Sequence, residues 1–549
     1  MKNQELQSQR LDHLGIVAGI CDEIGLSETI ASQIKDHGRK VSVGQAVKAM
    51  ILNGLGFVSR PLYLSPEFFH NKPVELLVGA DIEADDLNDD CLGRALDQLF
   101  KQGVTEVFAA VSAKALQVFG IETEYAHLDS TSFGLHGEYD ETEKSLSNED
   151  TNEPMPIHIT HGYSRDKRPD LKQAMVSLIC ANQASLPTWF RALDGNSTDS
   201  SSFAETIQAY LKQFTEDDDL PVFVADAALY NAPTLTQFPE KLRWITRVPA
   251  TLNAVKEIYA QVDNEDLFVA DEETRYMEFG AYYASIKQRW LLVLHETSRL
   301  KQGQNLQKRV DKERQRIEKK VQALQNKDFG CEDAINQALS ALTKKWQFHR
   351  IETTCYVEKR YQQPGRPTDE TPFEMVWRFE GQLLEDDAVL EQIRRKHGKY
   401  VIATNELDEQ TLGLLKMLAI YKQQSSSVER GFRFLKDPMF FADSLFLKKP
   451  SRIMALLMVM GLSLLVYALA EHQVRNQLVE QDEYLPDQTG KPTQKPTMRR
   501  IFQMMEGIDI LIIEQAGFRR RLLLNMTDIR WQIINLFSIH VQKLYNLQI

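Results

Sequence analysis

Glu124-Tyr125-Ala126-His127-Leu128-Asp129-Ser130-Thr131 reads as one strand that stops on an acid. Farther along, Pro221-Val222-Phe223-Val224-Ala225-Asp226 has the same form, a short apolar strand closed by a carboxylate. A third acid, Glu429, lies on the polar face of a helical stretch, Val428-Glu429-Arg430-Gly431-Phe432-Arg433-Phe434-Leu435-Lys436. Strands often end on Asp because Asp favours turns, so either strand alone says little. Together, three carboxylates from two strand ends and a helix form a cage of hard oxygen donors. Such a cage suits Mg²⁺, which keeps open positions for water and phosphate. Two such ions clamp the attacking and leaving oxygens of a phosphoryl displacement. The pattern therefore points to an enzyme that cuts or joins nucleic acid.

Glu429 sits in the spacing E-x-x-x-R-x-x-K. Residues 429, 433 and 436 share one helix face, so a metal-binding carboxylate stands beside two phosphate-sized cations, Arg433 and Lys436. Without the two Asp strands, the same residues would read as an ordinary helix salt bridge, about 0.2–0.5 kcal/mol.

Around these acids the order of elements is informative. Strands are expected at 124–129, 173–181, 187–193, 221–226 and 243–248, with helices at 200–214 and 233–240. The order β-β-β-α-β-α-β is that of a ribonuclease-H-like domain, whose first and fourth strands are central neighbours. Asp129 and Asp226 would then meet at one sheet edge. Five segments follow: a helical N-terminal domain (1–120) for DNA binding or assembly, the first part of the core (121–250), an insertion (251–398), the second part of the core (399–480), and a helical C-terminal region (481–549). The insertion is expected to carry strands at 274–296, a charged helical hairpin at 304–326 and 332–346, and strands at 351–361 and 374–384. The fold class is α/β multidomain. The apolar run Met454–Ala470 is short for a membrane span, which needs ~20 residues, and reads as a buried core helix.

A chain of 549 residues exceeds one ordinary core, and 43% hydrophobic content supports globular folding. The five cysteines are scattered without a C-x-x-C pair, which argues against a disulfide framework or zinc site and fits a reducing cytoplasm. The start, Met1-Lys2-Asn3-Gln4-Glu5, is polar and carries no signal-peptide core. The net charge of −13 is unusual for a DNA enzyme, but the charges are segregated. Residues 137–153 hold seven Asp/Glu and one Lys, and read as a mobile acidic loop. From Arg299 to Asp328 there are ten Lys/Arg against four acids. Phosphate contacts require such local clusters rather than a basic average.

Taken together, the three acids resemble the DDE transposases of bacterial insertion sequences, in the insertion-sequence-four superfamily. The likeness is to the group with a Tyr-Arg-Glu-Lys signature and a β-rich insertion before the glutamate, and covers roughly 125–475. Glu429 and Lys436 fall on the signature spacing. Ser425 stands at the Arg position and Lys422 at the Tyr position, with Tyr421 one residue earlier. His161-Gly162-Tyr163-Ser164-Arg165-Asp166-Lys167-Arg168-Pro169-Asp170-Leu171-Lys172-Gln173 is similar to a motif of one branch of the group, as is Leu11–Val17 to its helical N-terminal domain. The resemblance implies Asp129, Asp226 and Glu429 as catalytic residues holding two Mg²⁺ or Mn²⁺. It also implies Lys436, Arg433, Tyr421, Arg165, Lys167 and Arg168 as DNA contacts. Double-stranded DNA, a homodimer on paired ends, a bacterial cytoplasm and no membrane follow from it. Relatives that form hairpin ends flip a base, for which Trp244, Tyr282, Tyr283 and Trp290 are candidates beside their plainer reading as core. A nuclease that cuts without joining, and a non-catalytic DNA-binding protein derived from a transposase, are the alternatives.

Overall fold

A computed structural model describes residues 5–35, 38–57, 61–139, 154–181, 184–362, 365–368, 370–424, 428–437, 447–515 and 518–546. Most of the acidic loop, Ser425, and residues 182–183 between the strands expected at 173–181 and 187–193 lie outside the described residues.

Among the described residues, a strand, β1 (Glu5–Arg10), is followed by seven α-helices. These are α1 (Leu14–Glu23), α2 (Leu26–Gln33), α3 (Val43–Leu55), α4 (Ser65–Phe69), α5 (Val74–Leu77), α6 (Asp89–Gln102) and α7 (Val104–Phe119). Their boundaries have local causes. Ser42 and Gln45 form a reciprocal capping box at the start of α3. Asn88 caps α6, and Gly120, in the left-handed region, ends α7. The mixed region follows, with β2 (Tyr125–Leu135), β3 (Lys172–Ala181), β4 (Pro187–Leu193), α8 (Asp199–Leu211), β5 (Val222–Ala225), α9 (Ala232–Leu235) and β6 (Trp244–Val248).

Next come α10 (Asn253–Gln261), β7 (Phe268–Val269), β8 (Thr274–Tyr283), β9 (Ile286–His295), α11 (Glu296–Gln325) and α12 (Glu332–Thr343). Strands β10 (His349–Tyr361) and β11 (Phe373–Glu385), helix α13 (Asp387–Arg394) and β12 (Lys399–Thr404) follow. The remainder holds α14 (Leu414–Gln423), α15 (Val428–Leu435), α16 (Pro450–Glu480), β13 (Leu485–Pro486), β14 (Pro492–Thr493), α17 (Met498–Met504), β15 (Asp509–Gln515), β16 (Phe518–Leu524), α18 (Asp528–Asn535) and α19 (Ile539–Tyr545).

Two compact units result. The first comprises Met1–Thr246, Tyr283–Ile286 and Thr404–Ile549. It carries the strand order β4-β3-β2-β5-β6 of a large mixed sheet. Strands β2, β3 and β4 pair antiparallel, while β2-β5 and β5-β6 pair parallel. The helices before residue 120 do not pack by themselves. Leu14, Val47, Leu96 and Phe108 share one core with Val176 and Phe190 of the sheet and with Leu457, Leu465 and Leu469 of α16. Helix α16 is long and apolar enough to cross a membrane by length and composition, and 94% of its apolar window is buried inside the protein. Its central stretch, Met454–Ala470, is apolar almost all round, as suits a helix surrounded by core.

A three-stranded sheet, β1-β15-β16, departs from the sequence expectation. Residues 5–10 pair with β15, and β15 with β16, so the C-terminal region is not purely helical. Ile510 and Ile512 point into the core while their neighbours are half-buried, so a period of two is present but masked by apolar residues at every position from 510 to 513.

The second unit, Arg247–Tyr282 and Lys287–Ala403, holds the order β12-β9-β8-β7 and a separate two-stranded ribbon, β10-β11. Ile317, Val321, Ile335, Leu339 and Phe379 form one buried cluster in it, and Leu306, Val310, Phe348 and Leu390 another. Glu313 of α11 is buried and accepts from the amides of Gln347 and Phe348 and from His349 Nδ1, tying the helix to the start of β10.

Candidate active site

The parallel pairing of β2 and β5 runs from Tyr125↔Val222 to Leu128↔Ala225 and stops there. Asp129 and Asp226 are the next residues on the two strands. Strand β2 itself does not end at Asp129, as the sequence suggested. It continues to Leu135, because β3 pairs with it through Leu135↔Lys172. What ends is the neighbour: β5 turns away at Asp226, whose Oδ1 accepts the Ala228 amide at 2.9 Å and whose carbonyl accepts the Thr246 hydroxyl at 2.6 Å.

Asp129 is buried, and its Oδ1 accepts the Ser130 amide at 2.8 Å. Burial pushes its carboxyl up to about 7. Arg165 and the Ser130 amide pull the other way, while the charges of Asp226 and Asp199 raise it further. A carboxylate pair that is costly to ionise together is relieved by a bound cation.

The loop carrying Arg165 is pinned beside Asp129. Thr160 and Gln173 form an antiparallel bridge at its base. A Cβ on Gly162 would lie 2.1 Å from the Gly195 carbonyl oxygen, so only glycine permits that backbone crossing. Gln173 Nε2 donates to the same carbonyl at 2.7 Å. The Arg165 amide donates to Ser132 Oγ at 3.3 Å. The Arg165 guanidinium donates to the Ser130 carbonyl, to Ser130 Oγ and to Asp199 Oδ2, and its Nη1 lies 3.5 Å from Asp129 Oδ1. Ser130 Oγ in turn donates to Asp199 Oδ1. Arg168 pairs with Asp170 at 2.7 Å, and Lys167 is exposed, with a left-handed backbone (φ 58°).

On the helical side, Gln424, just after α14, donates to the Leu128 carbonyl at 3.1 Å, one residue before Asp129. Helix α15 buries Val428, Gly431, Phe432 and Leu435. A Cβ on Gly431 would come within 2.8 Å of the Leu464 side chain, so α15 lies close on α16. Glu429 and Arg433 are exposed and Tyr421 is half-buried. Lys436 pairs with Asp166 at 2.8 Å, next to Arg165, and lies over the Phe133 ring.

The structure therefore brings Asp129 and Asp226 together and sets Lys436, through Asp166, against the loop that carries Arg165. It does not close Glu429 on the pair: among the described residues no three His, Cys, Asp or Glu side chains are grouped to hold a metal ion. Of the aromatic candidates, Trp244 and Trp290 are core residues, Tyr283 stacks on Tyr230 at 4.8 Å, and Tyr282 is exposed. Sequence reasoning missed Asp199. An acid in the first turn of a helix is commonplace, and only its contacts with Ser130 and Arg165 set it apart.

Two family models match the chain. One, described as a transposase DDE domain, covers residues 126–467 and so encloses Asp129, Asp226 and Glu429. The other, a domain of unknown function (DUF4277), covers residues 6–113. Among solved structures, the chain is similar to the piggyBac transposase synaptic complex with hairpin DNA, determined by cryo-EM. The identity is 9% over 90% of this chain and 79% of that one, with a TM-score of 0.35, too slight to carry an argument. No curated protein matches.

Proposed function

The chain belongs to the family of transposases with a DDE domain, and from that premise we propose that Asp129, Asp226 and Glu429 are its catalytic acids. The observation that carries this reading is the end of the β2-β5 pairing, which delivers Asp129 and Asp226 from adjacent strands. We read the sheet order β4-β3-β2-β5-β6 as a ribonuclease-H-like core. Asp129 and Asp226 are hard oxygen donors that burden each other, so they fit two Mg²⁺ or Mn²⁺, with Glu429 completing the set. When bound, such ions would supply a Lewis acid that activates water for phosphodiester cleavage and the DNA 3′-hydroxyl for joining.

The chain's own residues supply the rest. Arg433, on the face of α15 that carries Glu429, and Lys436, just past the end of α15, hold phosphates of a transposon end, with Tyr421, Lys167 and Arg168 flanking. Arg165 orients Asp129. The substrate is double-stranded DNA bearing the terminal inverted repeats of an insertion sequence in a bacterial cell, in the insertion-sequence-four group. The active form is a homodimer on paired ends, with residues 1–120 serving DNA binding or assembly.

The test is cleavage and strand transfer on pre-cut and uncut terminal repeats with Mg²⁺. Asp129→Asn and Asp226→Asn should each fall to background in both steps while still binding DNA. Near wild-type cleavage by either variant removes that residue from the site. Cleavage without joining of pre-cut ends leaves a nuclease.

A further inference from the structure

Asp199 is outside the three family acids, and both its carboxylate oxygens are committed. Oδ1 accepts the Ser130 hydroxyl, and Oδ2 accepts Arg165 Nη2. One hydrogen bond to each oxygen fixes how the carboxylate is turned, towards Ser130 and Arg165. What it does instead is hold a guanidinium. Arg165 has three acceptors on this side, the Ser130 carbonyl, Ser130 Oγ and Asp199, and its Nη1 is left 3.5 Å from Asp129 Oδ1. That separation is longer than a hydrogen bond yet close enough for strong attraction. The planar fork explains why arginine rather than lysine suits the place: it engages several acceptors at fixed angles.

We propose that Asp199 and Ser130 hold Arg165 as a resident counter-cation of Asp129, at a standoff that sets how tightly a divalent cation binds there. This rests on the reading of Asp129 as a metal ligand. Arg165 offsets the carboxylate charge while the site has no metal, and the same positive charge opposes an incoming cation. Asp199 acts through Arg165 and is a positioning residue, not a ligand. If Asp199 lost its charge, the guanidinium would keep its bonds to Ser130, and Asp129 would become its strongest remaining acceptor. The two would close up, and a metal would have to displace the arginine.

The geometry thus requires opposite effects from two partners in one ion pair. The experiment is Mn²⁺ titration of the full-length chain without DNA, followed by electron paramagnetic resonance, counting only binding that Asp129→Asn removes. Arg165→Gln should tighten that binding by roughly tenfold, the size expected for one charge within 4–6 Å. Asp199→Asn should weaken it, and the double variant should behave as Arg165→Gln. Ser130→Ala, which removes a single hydroxyl, should weaken it less and keeps the test open should Asp199→Asn fail to fold. Shifts in the same direction for Arg165→Gln and Asp199→Asn, or none, overturn the inference while leaving the metal site standing. Absence of any Mn²⁺ binding that depends on Asp129 overturns the site reading and the inference with it.

Discussion

Asp129 and Asp226 are placed by backbone register, whereas Glu429 is placed by helix packing. The first two follow residues paired in register at Leu128↔Ala225, so ladder hydrogen bonds set their separation. Glu429 rides on an eight-residue helix held by Val428, Phe432 and Leu435 against its surroundings. Packing contacts tolerate small rotations and shifts that a ladder does not. A carboxylate from a strand edge is in place once the sheet has formed, and one from a short helix is in place only when the helix is seated.

The sharpest way to break this comparison is Glu429→Gln. DNA cleavage should fall to background, as for the two Asp variants, but Mn²⁺ binding by the DNA-free chain should fall much less than with Asp226→Asn. Equal losses in the titration would mean that Glu429 is as well placed as the strand acids.

A smaller effect concerns the scaffold that both arms share. His13 is buried, stacks on Phe502 at 4.2 Å and is hydrogen-bonded to the Leu55 carbonyl at 2.8 Å. Burial pushes its imidazole down to about 4 from the ordinary 6.5. The unfolded chain takes the proton near pH 6.5 and the folded chain only near 4, so stability is lost as pH falls through that window. The loss is on the order of 3 kcal/mol by pH 4. Urea midpoints from pH 7 to 4.5 should fall, and His13→Gln should flatten part of the fall.

Gly195→Ala probes the register side. Its Cβ would lie 2.0 Å from the Gln173 carbonyl oxygen, so the loop carrying Arg165 must shift. A destabilisation of about 1–3 kcal/mol is expected, with cleavage reduced more than DNA binding. An unchanged melting midpoint would show that the crossing relaxes freely.

The smallest effect is on the helical side. Lys436→Gln should leave stability within about 1 kcal/mol, since its pair with Asp166 is partly exposed. DNA binding should weaken, with the salt slope falling by about one unit. A constant slope would reduce Lys436 to its ion pair with Asp166.

Much of this was legible before any coordinates. The strands at 125, 173, 187, 222 and 244 were readable because each has an apolar or β-branched stretch bounded by turn residues. Helices α16 and α11 show how far composition reaches. One has 31 residues and an apolar, buried central stretch; the other has 30, most of them charged or polar. Both lie near where the sequence put them. The hairpin β15-β16 was not legible, since its first partner, β1, lies at the opposite end of the chain.

Local pattern alone determined which acids follow apolar strand segments and which cations share a helix face with Glu429, because periodicity of two and 3.6 is a property of the backbone. Tertiary structure decided the rest. It set Asp129 within a continuing strand, because β3 outlasts β5. It brought Asp199 to Arg165, because a glycine crossing at Gly162 and Gly195 lays one loop over another. Contacts between residues far apart in sequence leave no periodic trace, so the neighbours of Asp129 emerge only when the chain has folded.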